Sequence, residues 1–406
     1  MKVLYLVDKY PTHSQPKYGK YPAILKMIRK EGWDVDMIAF LAQKTQSVWS
    51  WKKSDVMMEK YEGNRSVILK DYSYDNLIRI LNYFLGRGVN FMGLNVYLGK
   101  FLHKFLERKL IRFIEIQGRP DVIHLYGVQV RADFIGAKLA TNLATRFNIP
   151  LVLNLHEAIG YSYTRYNVPA PVIECFRTTS FFAPVSDPLG KYWKSIIPEI
   201  RDLPMQAIPN PVSGKVFRAN SKSAKEHFFK IIHISKLDTN KNIEVIIEAF
   251  KRFLLKRPQA ELLLIGNNIL TDAANTAWGI DGKTNNIKLL GKKSREEISD
   301  IMANAHVYVQ ASTLETFGIP LVEAMMSGLP VIATSSGGPE SFINKSNGKI
   351  LRHPDSELIF RGFESIYKDY ENYHPEAIRS YALESFSEES VSKQLIKTYT
   401  SIMTEV

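Results

Sequence analysis

Short apolar runs alternate with stretches of helical periodicity along this chain, and that alternation restricts its fold more than any other feature. Lys2–Val7 and residues 35–40 are apolar runs of strand length, and residues 21–30 between them carry apolar side chains at helical spacing. A strand, a helix and a second strand in this order indicate a βαβ unit, whose parallel strands are covered by helices. Further apolar runs at 121–125, 151–155 and 181–186 each end near a polar residue or a glycine. Ligands of open α/β sheets bind at such carboxyl ends.

The alternation begins again near residue 228, which divides the chain. We expect residues 207–212 to be the last strand of the first half, and residues 213–225 have no apolar periodicity. The later predicted strands lie at 230–235, 261–265, 286–290, 306–310, 331–333 and 349–351, with helices at 243–255 and 294–305. A chain of 406 residues is too long for one ordinary core. We predict two doubly wound, Rossmann-like α/β domains, at residues 1–212 and 213–386.

Composition restricts the class of protein less than the alternation of predicted strands and helices restricts the fold. The single cysteine, Cys175, excludes an intrachain disulfide and fits a reducing compartment. The apolar opening run ends at Asp8 and is too short for a signal-peptide core, and no run has the length of a bilayer span. We therefore expect a cytoplasmic protein. The net charge of +12 favours an acidic partner such as nucleic acid, anionic lipid or a phosphorylated small molecule, without choosing among them.

Two glutamates at a predicted loop-to-helix junction carry the most specific chemistry. Glu315 comes just before Gly318, and Glu323 lies eight positions after Glu315, inside the apolar helix predicted next. Backbone N–H groups at a helix start are unpaired and bind phosphate. Two carboxylates beside such a site are costly unless they bind hydroxyl groups, which sugars and riboses supply in pairs. On the pair alone, a capped helix with two surface acids is an equally good interpretation.

The surrounding residues resemble the E-x7-E region of the retaining glycosyltransferases of family 4, of the group 1 type, which have the GT-B fold. The resemblance depends most on residues 315–318 (Glu-Thr-Phe-Gly), 322–325 (Val-Glu-Ala-Met) and 337–340 (Gly-Gly-Pro-Glu). Stretches at 120–124, 154–157, 208–212, 235–242, 261–266 and 286–297 also match. The resemblance implies two Rossmann-like domains that face a central cleft. It also implies that a last helix, within residues 387–406, crosses back to complete the first domain.

Four catalytic residues follow from the resemblance: His156, Lys236, Lys241 and Glu315. The family's basic pair falls on Lys236 and Lys241, whose charges would stabilise the leaving diphosphate. The first position of the pair is usually arginine, so a bidentate phosphate contact is in question at Lys236. His156 would position the donor near the site of transfer, and Glu315 would hold hydroxyls of the donor sugar. Without the resemblance, a solvated lysine pair and a structural histidine would be the simpler interpretations.

The remaining predicted site residues would hold the rest of the substrates. The predicted donor-binding residues are Gly266, Gly291, Thr316, Phe317, Gly318, Ile319 and Glu323. Backbone N–H groups near Gly318 would bind phosphate or sugar oxygens, Glu323 would bind the ribose, and the loop after Gly291 would contact the base. The first βα loop lacks the family's usual Gly-Gly, so we assign its role to Gly19. Lys17, Lys20 and Glu157 are further candidates for the phosphate or acceptor side.

The implied enzyme is a hexosyltransferase of cell-surface polysaccharide biosynthesis. It would move a sugar from a UDP- or GDP-sugar to a glycan or lipid-linked acceptor, with retention by same-face attack. We expect neither a metal nor another cofactor, because no Asp-x-Asp follows a predicted strand and no His or Cys cluster has ligand spacing. The two lysines and the helix N-termini would replace Mg²⁺.

A basic, apolar segment at residues 76–114 suggests a second partner. Residues 101–113 have the pattern of a basic amphipathic helix, with Lys104, Arg108 and Arg112 among its cations. Such a helix can lie on an anionic membrane surface. One hypothesis is therefore peripheral attachment to the inner face of the plasma membrane, where a lipid-linked acceptor would be met. The other is a core-packing helix with a solvated basic face.

Three other classes of function remain to be weighed. A nucleotide-sugar epimerase shares the GT-B fold, but the E-x7-E pattern favours a transferase. A nicotinamide-dependent oxidoreductase would need Gly-x-Gly-x-x-Gly after a first strand, and none follows Val7 or Ser235. A nucleic-acid binder would need a recognised binding module, and the sequence contains none that we can identify. We therefore expect no nucleic-acid partner.

Overall fold

The computed structural model describes residues 1–7, 20–41, 57–61, 64–70, 92–128, 134–156, 164, 166–218, 228–235, 239–266 and 286–404. The chain divides into two compact units. The first comprises Met1–Pro184, Gly190–Ile208 and Ser392–Val406, and the second comprises Val185–Leu189 and Pro209–Val391. Each unit is built around one sheet.

The sheet of the first unit has the strand order β3-β4-β2-β1-β5-β6-β7 among the described residues. Its strands are β1 (Lys2–Val7), β2 (Asp34–Leu41), β3 (Met57–Tyr61), β4 (Asn64–Lys70), β5 (Val122–Tyr126), β6 (Leu151–Leu155) and β7 (Thr179–Pro184). Neighbouring strands run parallel, except that β3 and β4 form an antiparallel hairpin. Strands β5 and β6 are buried along their whole length, as expected for central strands covered on both faces.

Helices connect the parallel strands of this half. They are α1 (Lys20–Lys30), α2 (Met92–Gln117), α3 (Ile135–Phe147), α4 (Ala170–Thr178) and α5 (Asp187–Ile196). The predicted basic helix at 101–113 therefore lies inside the longer α2. Leu110 and Ile114 of α2 are buried, whereas Lys104, Arg108 and Arg112 are exposed. Among the described residues, no helix combines the length and the apolar character needed to span a bilayer.

In the described part of the second unit, six parallel strands form a sheet in the order β10-β9-β8-β11-β12-β13. The strands are β8 (Phe229–Ile234), β9 (Ala260–Ile265), β10 (Ile287–Gly291), β11 (Val307–Gln310), β12 (Val331–Thr334) and β13 (Gly348–Leu351). The strand order proceeds outward in one direction from β8 and in the other from β11. The space between the carboxyl ends of β8 and β11 is therefore a topological switch point, where doubly wound sheets bind ligands.

Helices α6 (Ile243–Lys256), α7 (Arg295–Ala303), α8 (Ile319–Met326), α9 (Ser356–Lys368), α10 (Pro375–Phe386) and α11 (Glu388–Thr404) complete the described fold. The helix predicted at 294–305 is α7, and Ser294 is its N-cap. Ser294 Oγ accepts a bond from the N–H of Glu297 at 3.1 Å, and the Glu297 carboxylate accepts one from the N–H of Ser294 at 2.7 Å. This reciprocal capping box fixes where α7 begins.

The last helix contributes to the core of the first unit. Tyr399 of α11 is fully buried, and its hydroxyl lies 2.6 Å from Nδ1 of His124 on β5. The same hydroxyl contacts the hydroxyl of Tyr5 on β1. Burial lowers the pKa of His124 to about 3, so its imidazole is neutral at physiological pH.

The predicted α/β fold with doubly wound parallel sheets is confirmed, whereas the strand predicted at residues 207–212 is wrong. In this region only single bridges form, between Phe182 and Met205 and between Val212 and Ser387. Pro209 and Pro211 explain the difference, because proline has no N–H to donate to a neighbouring strand.

Candidate functional site

Among the predicted site residues of the second unit, Lys241, Glu315 and Gly318 lie at the switch point of its sheet. Strand β8 ends at Ile234, and the 3₁₀ turn Thr239–Lys241 leads into α6. Strand β11 ends at Gln310, and residues 311–318 lead into α8. These two loops leave adjacent parallel strands at the same edge, so their side chains meet there.

Two asparagines hold the loops together. Asn240 accepts a bond from the N–H of Leu314 at 2.9 Å and donates to the carbonyl of the same residue at 2.8 Å. Asn242 donates to the carbonyl of Ala311 at 2.7 Å from a left-handed backbone conformation, with φ of 46°. Left-handed backbone is more accessible to asparagine than to most residues. We call these hydrogen bonds of Asn240 and Asn242 the asparagine clamp. The clamp holds Lys241, which lies between the two asparagines, against the loop that carries Glu315.

Lys241 and Glu315 form an ion pair at this clamp. Lys241 Nζ lies 2.9 Å from Glu315 Oε2, with the two side chains 21% and 18% exposed. Gln310 at the end of β11 donates from Nε2 to the same carboxylate oxygen at 3.1 Å. Lys241 Nζ also lies 3.3 Å from Ser312 Oγ. The cation and the carboxylate are therefore both oriented by neighbours within the same unit.

The loop that contains Ser336 and Gly338 forms hydrogen bonds with the backbone of Glu315. The N–H of Glu315 donates to the carbonyl of Ser336 at 2.8 Å, and the N–H of Gly338 donates to the carbonyl of Glu315 at 2.7 Å. A Cβ at Gly338 would lie 2.4 Å from the backbone of Phe317, which explains why glycine is needed there. Glu340 accepts bonds from the N–H of Gly337 and so fixes the turn.

The start of α8 has the features of an anion site. Gly318 precedes the helix with φ of 96° and provides no capping side chain, and Pro320 follows in its first turn. Thr316 and Phe317 are buried beneath this turn. The N–H groups at a helix start lack partners within the helix and lie at the positive end of its dipole. The turn that contains Gly318 and Ile319 can therefore hold phosphate oxygens.

Glu323 lies one turn further along α8 and is 7% exposed. Its Oε1 accepts a hydrogen bond from the guanidinium of Arg295, the first residue of α7. Burial raises the pKa of the Glu323 carboxyl to about 7, and the charge and hydrogen bond of Arg295 act in the opposite direction. Near neutral pH this carboxyl therefore titrates, unlike an ordinary glutamate.

The two predicted glycines lie side by side at adjacent strand ends. Gly266 follows β9, and its N–H donates to the carbonyl of Gly291, the last residue of β10, at 3.0 Å. Gly291 has φ of 65°, a conformation that favours glycine. The structure thus brings these two together at the carboxyl edge of the same sheet.

His156 belongs to the first unit and follows β6. Its ring stacks on that of Tyr126 with centroids 3.9 Å apart, and its Nδ1 lies 3.1 Å from the Tyr126 hydroxyl. Its Nε2 lies 2.5 Å from Asn154 Oδ1. Because Asn154 Oδ1 accepts only, Nε2 carries the proton in this arrangement and Nδ1 accepts from the tyrosine. The imidazole is oriented, and its role in transfer stays a prediction.

Several predicted residues cannot be placed. Lys17, Gly19, Glu157 and Lys236 lie outside the described residues, and Lys20 is described only as the first residue of α1. The described part of the chain contains no group of three or more His, Cys, Asp or Glu side chains arranged to hold a metal ion. The expected independence of metal stays a prediction.

The structure adds four residues to the site that sequence reasoning missed. These are Asn240, Asn242, Arg295 and Gln310. Gln310 had a visible signal, since it is a polar residue at the end of an apolar strand. The partners of Asn240 and Arg295 are separated from them by 74 and 28 residues along the chain, so only the fold reveals those contacts.

Known glycosyltransferases are similar to this chain in sequence. Residues 217–384 match the family model described as glycosyl transferases group 1, which confirms the predicted resemblance to that group. The gpi3 subunit of phosphatidylinositol N-acetylglucosaminyltransferase from Schizosaccharomyces pombe is 26% identical over 211 residues, covering 50% of this chain and 44% of that protein. Alpha-monoglucosyldiacylglycerol synthase of Acholeplasma laidlawii is 23% identical over 267 residues, covering 59% and 65%. The chain spans about half the length of the curated relatives it matches.

Solved structures show the same fold over the whole chain. A glycosyltransferase from Rickettsia africae has a TM-score of 0.68 at 15% identity, covering 100% of this chain and 99% of that one. Anabaena HepE in complex with UDP has a TM-score of 0.67 at 16% identity, covering 99% and 100%. At these identities the likeness establishes the fold alone, and the predicted GT-B fold class is confirmed. Membership of family 4 stays a prediction.

Proposed function

We propose that this chain is a retaining, metal-independent hexosyltransferase of family 4 that uses a UDP- or GDP-sugar. The observation that carries the proposal is the Lys241–Glu315 ion pair at the switch point of the second sheet, 2.9 Å in length and next to the start of α8. A cation, a carboxylate and the start of a helix at one sheet edge suit a sugar diphosphate better than they suit an apolar ligand. The match of residues 217–384 to group 1 glycosyltransferases supports the same interpretation.

The proposed chemistry assigns one part of the donor to each group. Lys241 and the N–H groups at the start of α8 bind the diphosphate, Glu315 accepts hydroxyls of the sugar, and Glu323 accepts those of the ribose. The bond from the anomeric carbon to the phosphate oxygen breaks, and its electron pair stays on the phosphate. The acceptor hydroxyl attacks from the same face and gives its proton to that oxygen. Lys241 opposes the charge as it develops on the leaving group.

The proposed acceptor is a glycan or a lipid-linked sugar used for cell-surface polysaccharide. Two observations support a lipid-linked acceptor. One curated relative is a glucosyldiacylglycerol synthase by name, and another is a subunit of a phosphatidylinositol sugar transferase. In addition, α2 exposes Lys104, Arg108 and Arg112 while it buries Leu110 and Ile114. We place the enzyme in the cytoplasm, attached peripherally to the inner face of the plasma membrane.

Donor hydrolysis and transfer provide the test of the enzymatic proposal. The purified chain is incubated with UDP- and GDP-hexoses, with or without EDTA, and with a membrane extract as acceptor source. We expect release of one nucleoside diphosphate, incorporation of labelled sugar and no effect of EDTA, with an α-linkage from an α-donor by NMR. A β-linked product would refute retention. Conversion of the donor into its epimer without an acceptor would instead support the epimerase alternative.

Vesicle flotation tests the membrane proposal separately. The wild-type chain and a variant with Lys104, Arg108 and Arg112 changed to Glu are mixed with vesicles of phosphatidylcholine and 30% phosphatidylglycerol, on the order of the charge density of an anionic leaflet. We expect the wild type to float and the variant to remain at the bottom. Flotation of both, or of neither, would contradict attachment through α2.

A further inference from the structure

We infer that Arg295 is a positioning residue for Glu323: it fixes the orientation of the carboxylate that holds the ribose and supplies its counter-charge. The inference rests on the proposed function, because it presupposes that Glu323 faces the ribose of a nucleotide. Arg295 was given no role from the sequence, and it follows the N-cap Ser294 as the first residue of α7.

The contact geometry singles out this arginine. Its guanidinium donates to Glu323 Oε1, and its Cζ lies 5.4 Å from the centre of the Phe217 ring. The Arg295 side chain is 34% exposed and that of Glu323 only 10%. The capping box between Ser294 and Glu297 fixes the start of α7, and with it the position of the Arg295 backbone. This bond to Oε1 holds the carboxylate of Glu323 in one orientation.

The electrostatics of the pair give Arg295 a second effect. A buried carboxylate is costly without a counter-charge, and burial raises the pKa of Glu323 to about 7 even with Arg295 beside it. Two other titratable groups interact electrostatically with Glu323 or Arg295. Tyr308 on β11 interacts with both Glu323 and Glu315, and Glu388 on α11 interacts with Arg295 and Lys215. Arg295 contacts Glu323 directly.

This arrangement predicts how nucleotide affinity depends on pH. An ionised carboxylate accepts two hydroxyl bonds, whereas a protonated one has lost part of its accepting capacity. Affinity for a ribonucleotide should therefore rise as pH increases through about 7, where Glu323 ionises. Removing Arg295 takes away an influence that lowers the pKa of Glu323, so the rise should move to higher pH.

Calorimetric titration of the full chain with UDP and GDP, and with their 2′,3′-dideoxy counterparts, tests the inference between pH 5.5 and 8.5. For Arg295→Gln we expect affinity for the ribonucleotide that binds to fall about tenfold at pH 7, the effect of one charge-assisted bond. The midpoint of its pH profile should move upward. Affinity for the dideoxy compound should be the same as in the wild type. Arg295→Lys, which keeps the charge, should recover part of the loss.

The controls separate the possible failures. Arg361→Gln removes another arginine that bonds a glutamate, Glu357, on an exposed face of α9, and it should change neither affinity nor profile. Equal weakening of ribo- and dideoxynucleotides by Arg295→Gln, or no weakening, would overturn the role of Arg295. Failure of the wild type to bind either nucleoside diphosphate would overturn the proposed function itself. A thermal melt of each variant shows whether it is folded. If Arg295→Gln is misfolded, the nucleotide affinities of Arg295→Lys are compared with those of the wild type instead.

Discussion

Nζ of Lys241 lies 2.9 Å from Oε2 of Glu315, although the two residues are 74 positions apart in the chain. The cation assigned to the leaving phosphate and the carboxylate assigned to the donor sugar thus form one partly buried ion pair. Partly buried charges are less screened than exposed ones, so each fixes the position of the other. A diphosphate bound beside them would share Lys241 with Glu315.

Replacing Lys241 tests its role at the leaving group. Lys241→Ala should lower kcat for sugar transfer at least about 100-fold, because it removes charge stabilisation that grows as the bond breaks. Steady-state kinetics with the identified donor measure the effect. Lys256→Ala, which removes an exposed lysine of α6, serves as the matched control and should behave like the wild type. Full activity in Lys241→Ala would show that the ion pair is only structural.

Gln310 should act on the reaction through Glu315. Gln310→Leu keeps a similar volume in a side chain that is only 3% exposed, and it removes the 3.1 Å bond to the carboxylate. We expect kcat/KM to fall roughly tenfold, which corresponds to about 1.4 kcal/mol of lost orientation. Gln259→Leu, at an exposed glutamine before β9, is the control. Unchanged kinetics in Gln310→Leu would remove Gln310 from the site.

Gly338 should tolerate no side chain. A Cβ there would lie 2.4 Å from backbone atoms of Phe317, so Gly338→Ala should lower the free energy of unfolding by about 2 kcal/mol. In Gly362→Ala the nearest atom is a side-chain carbon of Ile332 at 3.4 Å, and alanine is the better helix former. That variant should unfold at or above the wild-type denaturant midpoint. Equal midpoints for both variants would contradict the close approach at Gly338.

Glu323 should make stability depend on pH in a defined direction. Its pKa is raised from 4.5 to about 7 in the folded state, so it favours folding below pH 4.5 and that contribution is lost as pH rises through 7. Glu323→Gln does not ionise, so its unfolding free energy relative to the wild type should increase between pH 5 and 8. Chemical denaturation at several pH values measures this difference. A difference that stays constant between pH 5 and 8 would show that Glu323 has the pKa of an ordinary glutamate.

Much of the fold could be predicted because its signals are local. Apolar strands followed by helical periodicity predicted both parallel sheets, and the helix predicted at 294–305 corresponds to α7. The strand at 207–212 was predicted wrongly, because its apolar residues outweighed two prolines that cannot donate hydrogen bonds. The hairpin of β3 and β4 was not predicted.

The site was predictable in part for a similar reason. Glu315 and Glu323 follow a spacing that can be read along one segment. The contacts that orient them come from elsewhere: Lys241 and Asn240 from the loop after β8, and Arg295 from the start of α7. Such pairings depend on which strands become neighbours, which periodicity does not specify.

The most direct test of the central claim is calorimetric titration of the wild type and Lys241→Ala with UDP, GDP, ADP, CMP and NADH, each with and without EDTA. We predict that the wild type binds one of UDP and GDP with an affinity that EDTA does not change, and that Lys241→Ala binds it at least about tenfold more weakly. Binding of NADH alone, or of none of the five, would contradict a nucleotide-sugar site at the switch point of the second sheet.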